Sequence, residues 1–323
     1  DIDNEIGGFA FDLLPPLDKF YRAHNWQSLA DGRRTTSVVV QTTFGCPFHC
    51  HYCMIQSIFR PGEKASGYHE GQNSYRYLSP KIVVDQLERL INQYGFLMVR
   101  IYDELFAFNP NHMKEFCGEI INRGLAPHLN IWAYARINTT KDWMLDLMYR
   151  AGFKTLAFGV ESGSKDVRDH VDKGFGQDDI FTVVDKVHKS GLEIIANYIY
   201  GLPWDTNETM QETLNLAKSL NTMWYNGYCA MAYPGSALYN DAIEKNWQLP
   251  KSWSGYSQHS EDMLPLSTVN LTAGEIISFR DKAFTEYFSN PTYLERIENK
   301  FGRKAVEDIG AMTAIKLTRK FAR

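Results

Sequence analysis

An α/β fold of parallel strands is what this sequence predicts, on three observations. Short β-branched or aromatic runs alternate with amphipathic helical stretches six times between residues 38 and 233. Glycines at 95, 124, 152 and 191 stop helices at the ends of their apolar periods. The most chemically loaded segment, with three cysteines, directly follows the first strand, where parallel α/β folds carry functional loops. Six such units fit an incomplete (β/α) barrel with helices outside, and periodicity leaves a doubly wound sheet open as well.

Residues 1–36 contain Phe11-Asp12-Leu13-Leu14-Pro15-Pro16-Leu17 and Tyr21-Arg22-Ala23-His24-Asn25-Trp26. Paired prolines and no sustained period predict an extended lead-in that packs on the next domain. The first strand is the run 38–43, and the glycine-bearing polar stretch 60–78 predicts a long functional loop. Ser79-Pro80 opens a helix with Val83, Leu87, Leu90, Ile91 and Tyr94 on one face, and a strand follows at 97–102. Asn109-Pro110 opens the next helix, in whose apolar face Cys117 reads as core packing. Strands at 131–135, 155–160 and 194–200 alternate with helices near 140–150, 177–190 and 206–220, and a sixth strand fits 228–233. Cys229, inside it, reads as a buried small hydrophobe. After Pro234 the rhythm breaks. Residues 247–265, with Trp247, Trp253, Tyr256 and His259, predict covering loops, followed by helices near 272–288 and 291–300 and a basic terminal helix at 315–321. The expected organisation is a lead-in at 1–36, a barrel at 37–233 and a loop and helical extension at 234–323.

At 323 residues the chain can bury a sizeable core. A net charge of −4 supplies no basic field for nucleic acid or anionic lipid, so small substrates or a protein partner are expected. No apolar run is long enough to span a bilayer, and no signal-peptide pattern opens the chain, so the expected home is the cytoplasm, where thiols stay reduced. The first residue is Asp1 rather than Met, consistent with a fragment or a processed product.

Gly45-Cys46-Pro47-Phe48-His49-Cys50-His51-Tyr52-Cys53 crowds three of five cysteines at CxxxCxxC spacing. A disulfide framework is disfavoured by the short loop and the odd total. Zinc, with His49 or His51 as fourth ligand, is the plainer alternative, but structural zinc favours paired cysteines in two clusters and no second pair exists. Thiolates also hold 4Fe-4S clusters, normally four of them. Three would leave one iron open for substrate.

The spacing, with an aromatic residue before the last cysteine, resembles the signature of the radical S-adenosylmethionine (SAM) enzymes. The resemblance implies a partial (β/α)6 barrel, a 4Fe-4S cluster on Cys46, Cys50 and Cys53, and SAM chelated by the open iron. It further implies reductive cleavage of SAM to methionine and a 5′-deoxyadenosyl radical that takes hydrogen from an organic substrate. Strand ends supply matching groups: Asp103 and Glu104, Arg136, Glu161 and Ser162, then Gly201-Leu202-Pro203. By the resemblance, Glu104 with Asp103 contacts the SAM amine, although Tyr102-Asp103 stand where the family has two glycines. Arg136 pairs with the SAM carboxylate, Glu161 and Ser162 hold the ribose, and Tyr52 with Gly201 and Pro203 contacts the adenine.

The 15–26 lead-in, Asp103-Glu104-Leu105-Phe106, the run 158–164 and Tyr233-Pro234-Gly235-Ser236 resemble the cobalamin-dependent branch, many of whose members methylate unactivated carbon. About 37 residues precede the cysteine-bearing unit, against roughly 100 for a nucleotide-type α/β domain, and no DxHxxG sequence appears. Cobalamin use therefore requires a domain or subunit beyond these residues. A cobalamin-independent radical rearrangement or oxidation is the alternative, and a non-enzymatic metal-binding or electron-transfer module is the contrasting class. The expected partners are a small-molecule or natural-product substrate and an electron donor such as flavodoxin or ferredoxin.

Overall fold

The computed structural model describes residues 3, 8–22, 35–55, 57, 64–67 and 75–322. The end of the lead-in, including Trp26, and most of the 60–78 loop lie outside the described residues. Eight strands are present among the described residues: β1 (Ser37–Val40), β2 (Thr43–Phe44), β3 (Arg76–Tyr77), β4 (Leu97–Ile101), β5 (Leu129–Ala135), β6 (Phe153–Glu161), β7 (Glu193–Tyr200) and β8 (Trp224–Cys229). Six of them form one sheet in the order β1-β4-β5-β6-β7-β8, while β2 and β3 pair antiparallel beside it. Sequential order with helical crossovers makes this a half-barrel, and the registers of β1 with β4, β4 with β5 and β5 with β6 are parallel.

The helices between strands are α1 (Pro80–Tyr94), α2 (Pro110–Asn122), α3 (Asp142–Arg150), α4 (Lys165–His170), α5 (Gln177–Lys189) and α6 (Asn207–Leu220). Their starts follow from local chemistry. The Asn109 side chain accepts from the amides of Asn111 and His112, and Thr206 with Thr209 forms a reciprocal capping box on α6. Ser79 sits at the cap position of α1 but caps nothing with its hydroxyl; its own amide donates to Asp3 Oδ1 at 2.7 Å. Beyond β8 come α7 (Ala237–Glu244), α8 (Ala273–Phe288), α9 (Pro291–Phe301) and α10 (Arg303–Ala314).

The lead-in is not extended throughout, since Phe11–Leu13 form a 3-10 turn and Leu17–Phe20 a helical turn, and two further expectations shift. The sixth strand is Trp224–Cys229, several residues earlier than 228–233, because Asn226 and Gly227, poor strand formers, interrupt the apolar signal there. The terminal helix is Arg303–Ala314, and 315–321 is not helical; that tail is tied down by the Lys320 amide donating to Glu261 O at 2.9 Å and by Arg319 Nε on Asp281 at 3.3 Å.

The chain falls into two compact units. The first is Asp1–Cys46, Ser74–Phe158 and Thr182–Ile195; the second is Pro47–Asn73, Gly159–Phe181 and Ala196–Arg323. In the first, Val40, Val99, Ile101 and Ile131 are buried with Val83, Leu87, Phe106 and Phe116, so strands and helices share one apolar layer. In the second, Tyr225 stacks on Tyr287 at 4.6 Å, and their phenols reach Tyr200 and the Thr222 carbonyl, which satisfies the buried hydroxyls. Among the described residues no helix is long and apolar enough to cross a membrane.

Candidate active site

In the first unit, the end of β4 holds the start of the cysteine loop. Asp103 is fully buried, and its two oxygens accept from the Thr42 amide and the Thr42 hydroxyl, each at 2.6 Å. The same hydroxyl lies 3.0 Å from His112 Nε2, making a buried Asp103, Thr42, His112 chain. Burial outweighs the hydrogen bonds and pushes the Asp103 carboxyl up to about 6, and burial pushes His112 down to about 4. Glu104, half-buried, accepts from the Gly45 amide at 3.2 Å, one residue before Cys46, and burial raises its carboxyl also. Tyr75 donates to the Leu105 carbonyl at 3.1 Å and so packs beside the same strand end. Arg136 closes β5, is 7% exposed, and donates from Nε to Asn138 Oδ1 at 2.9 Å.

The rest of the loop belongs to the second unit. The Cys53 amide returns to the Cys50 carbonyl at 2.9 Å, a tight turn that sets both thiols on one bend. His51 is pinned on three sides: its amide donates to Val171 O, its carbonyl accepts from Leu238, and its Nε2 meets Asp241 at 3.0 Å. Cys50 Sγ lies 3.9 Å from the Asp172 carbonyl. Burial pushes the Cys53 thiol up, with the Ile55 amide and, less, Lys173 pulling the other way.

At the end of β6, Glu161 has left-handed backbone (φ 67°), is 5% exposed, and pairs with the equally buried Lys173 at 2.7 Å. A side chain at Gly159 would lie 2.1 Å from the Glu161 carboxylate and 2.9 Å from the Lys173 ammonium, so only glycine leaves the pair its space. The ammonium is 5.8 Å from the centre of the Tyr52 ring, whose phenol is held well above its usual range by burial and then by Glu161. Ser162 is fully buried; its hydroxyl is 3.2 Å from that of Thr213 and accepts from the Ser164 amide, and its carbonyl accepts from Arg168.

The Gly201-Leu202-Pro203 turn is organised by Asp205. One Asp205 oxygen accepts from the amides of Gly201 and Leu202, both at 3.0 Å, and the other from the Thr209 hydroxyl at 2.7 Å. Gly201 sits at φ 81°, with Ile276 2.5 Å from where a Cβ would stand. Burial pushes Asp205 up to about 6. Sequence reasoning missed Lys173, Asp205 and His112. The signal available for Asp205 was its place in the turn next to a capping threonine; Lys173 and His112 carried none.

Within each unit the expected residues gather in part. Glu104 and the start of the cysteine loop meet in one; Tyr52, Glu161 and the Cys50–Cys53 bend share the other, while Asp103 and Ser162 are engaged by the protein's own donors. The donor set suits a cluster. Cys46, Cys50 and Cys53 are all partly exposed, Cys117 and Cys229 are buried, and no disulfide joins any of the described cysteines. No three His, Cys, Asp or Glu side chains among the described residues are grouped to hold a metal ion. A 4Fe-4S cube takes its thiolates on separate irons rather than around one ion.

Residues 40–217 match the family model of the radical SAM superfamily. The chain belongs to that superfamily. It is 28% identical over 291 residues to an uncharacterized methyltransferase of Pyrococcus horikoshii, covering 90% of this chain and 57% of the relative. To the anaerobic magnesium-protoporphyrin IX monomethyl ester cyclase of Rubrivivax gelatinosus it is 26% identical, covering 62% of this chain and 34% of the cyclase. The radical SAM chain thus spans about a third to somewhat over half of these relatives. Among solved structures it resembles the radical SAM methyltransferase TsrM of Kitasatospora setae, with cobalamin and a 4Fe-4S cluster bound (TM-score 0.54, 18% identity, 64% of this chain and 36% of that one). It also resembles the cobalamin-dependent radical SAM enzyme OxsB (TM-score 0.54, 12% identity, 85% and 46%). These structures share its fold, and the superfamily implies a 4Fe-4S cluster and SAM.

Proposed function

We propose that this chain is the catalytic barrel of an enzyme that cleaves SAM reductively at a cluster on Cys46, Cys50 and Cys53 and methylates carbon in an organic substrate. Cobalamin would come from a domain or subunit beyond these residues. The observation that carries the reading is the contrast among the cysteines: the three of the motif stand partly exposed on a loop braced by Glu104, while the other two are buried in the core. When bound, the cluster supplies the electron for SAM cleavage, and the protein's part is to bind, orient and exclude water.

Glu104 offers one carboxylate oxygen beyond that engaged by Gly45 for the SAM amine, and Arg136 offers a permanent cation for the SAM carboxylate. Glu161 offers a carboxylate to the ribose, and Tyr52 with the Gly201–Pro203 turn offers a flat, close surface to the adenine. Asp103 and Ser162, whose polar atoms are occupied within the protein, act as braces.

The first test is anaerobic reconstitution with iron and sulfide, followed by electron paramagnetic resonance with and without SAM and an assay for 5′-deoxyadenosine. The expected result is a cubane signal that SAM perturbs and 5′-deoxyadenosine formed, both lost in Cys50→Ser. A zinc-loaded protein, or a cluster blind to SAM, overturns the reading. The cyclase relative, named for ring closure rather than methyl transfer, supports a second reading, a radical rearrangement or oxidation without methyl transfer. Release of S-adenosylhomocysteine beside 5′-deoxyadenosine separates the two.

A further inference from the structure

In the first unit, Val39, Arg100 and Trp132 are successive register partners across β1, β4 and β5, so they share one face of the sheet. Against this face and the lead-in segment lies a cavity of about 320 Å3. That volume falls within the range of small-molecule sites, about 300–1,000 Å3. Among the described residues, Phe11, Leu14, Leu17 and Phe20 form its apolar wall, Arg22 and Arg100 are its charged groups, and no aspartate or glutamate lines it. Asp12 and Asp18 lie on the same segment but do not line the cavity.

Arg100 is held for use. Its guanidinium carbon lies 4.8 Å from the Tyr102 ring centre and 4.5 Å from that of Trp132, and Nη2 donates to the Tyr134 hydroxyl at 3.1 Å. Its buried Nε has no hydrogen-bond partner among the described residues. Two aromatic rings beside it hold the fork in place, and among the described residues no anion meets its donors. A half-buried guanidinium beside an apolar trough matches a ligand with a planar anionic head and a hydrocarbon body.

We propose that this cavity binds an amphipathic monocarboxylic acid, with the carboxylate on Arg100 and the hydrocarbon chain along Phe11, Leu14, Leu17 and Phe20. Arg22 adds a second positive charge at the rim. The inference stands apart from SAM cleavage and does not require the cluster.

The test is calorimetric titration of the full chain with dodecanoate and with dodecanol, both below their aggregation limits. Dodecanoate is expected to bind saturably at one site, about tenfold or more tighter than dodecanol, because a charge-assisted hydrogen bond is present with one probe and absent with the other. Arg100→Gln is expected to abolish that preference. Val39→Trp, at a position 51% exposed on the cavity wall beside Arg100, fills the cavity while leaving the guanidinium's charge in place and is expected to block both probes. It decides the matter should Arg100→Gln fail to fold. Equal affinity for the two probes, dodecanoate binding that survives Val39→Trp, or no saturable binding to folded wild-type protein overturns the proposal.

Discussion

Asp103 and Glu161 each close or follow a strand of the half-barrel, each is buried, and they are satisfied in opposite ways. Asp103 is met by neutral donors of Thr42, so its charge is a cost that burial turns into a raised carboxyl pKa. Glu161 is met by the ammonium of Lys173, so its carboxylate faces a cation rather than neutral donors. A carboxylate held by neutral donors is a brace; one held by a cation is a charge that another ligand can share. The difference predicts unequal responses to losing the partner. Lys173→Met strands a buried carboxylate and is expected to cost about 3–5 kcal/mol, with Glu161→Gln in the same chain recovering most of it. Chemical denaturation of the three variants checks this. A Lys173→Met loss that the second substitution does not reduce would mean that the pair is not energetically coupled.

The brace makes a subtler prediction, in the pH dependence of stability. Between about 4 and 6 the folded protein keeps the Asp103 proton that the unfolded chain has released, so this group's contribution falls as pH rises. Over a similar range the folded protein excludes the His112 proton that the unfolded chain holds, so this contribution rises with pH. Each spans roughly 3 kcal/mol at most, from shifts of a little over two pKa units at 1.36 kcal/mol each. The two nearly cancel, and Asp205 adds a second falling contribution. Relative to wild type, Asp103→Asn is therefore expected to tilt the stability profile upward between pH 4 and 6, and His112→Gln to tilt it downward. Urea midpoints across that range check both signs; parallel profiles for all three proteins would remove the buried chain as a titrating unit.

How much of this was legible beforehand follows from the kind of signal each feature carries. The first five strands lie within a few residues of the expected bounds because each is a compact β-branched or aromatic run. The sixth was displaced because Asn226 and Gly227 break its pattern. The short helices α4 and α7 were invisible, since six and eight residues hold too few turns for a period to show. Cys46, Cys50, Cys53, Glu104 and Glu161 stood out through spacing or place at a strand end. Their supports did not: His112 meets Thr42 across 70 positions of sequence, and Lys173 reaches Glu161 from beyond an intervening helix. Pairings of that kind exist only once the strands are in register.

Ser162, next to Glu161 in sequence, supplies the mildest test of the same contrast, because its surroundings hold no charge pair. The Thr213 hydroxyl accepts from the Gly163 amide at 2.8 Å, donates to the Thr209 carbonyl at 2.9 Å and lies 3.2 Å from the Ser162 hydroxyl. A side chain at Gly163 would stand 2.5 Å from the Glu212 carbonyl, so the loop rests directly on α6 and cannot shift to find another acceptor. Thr213→Val keeps the shape and removes the acceptor, leaving one amide unmet. The expected cost is about 1–2 kcal/mol, smaller than that of Lys173→Met, with an unchanged denaturant slope. A loss as large as the lysine variant's would show that the hydroxyl network, rather than the ion pair, holds the end of β6 in place.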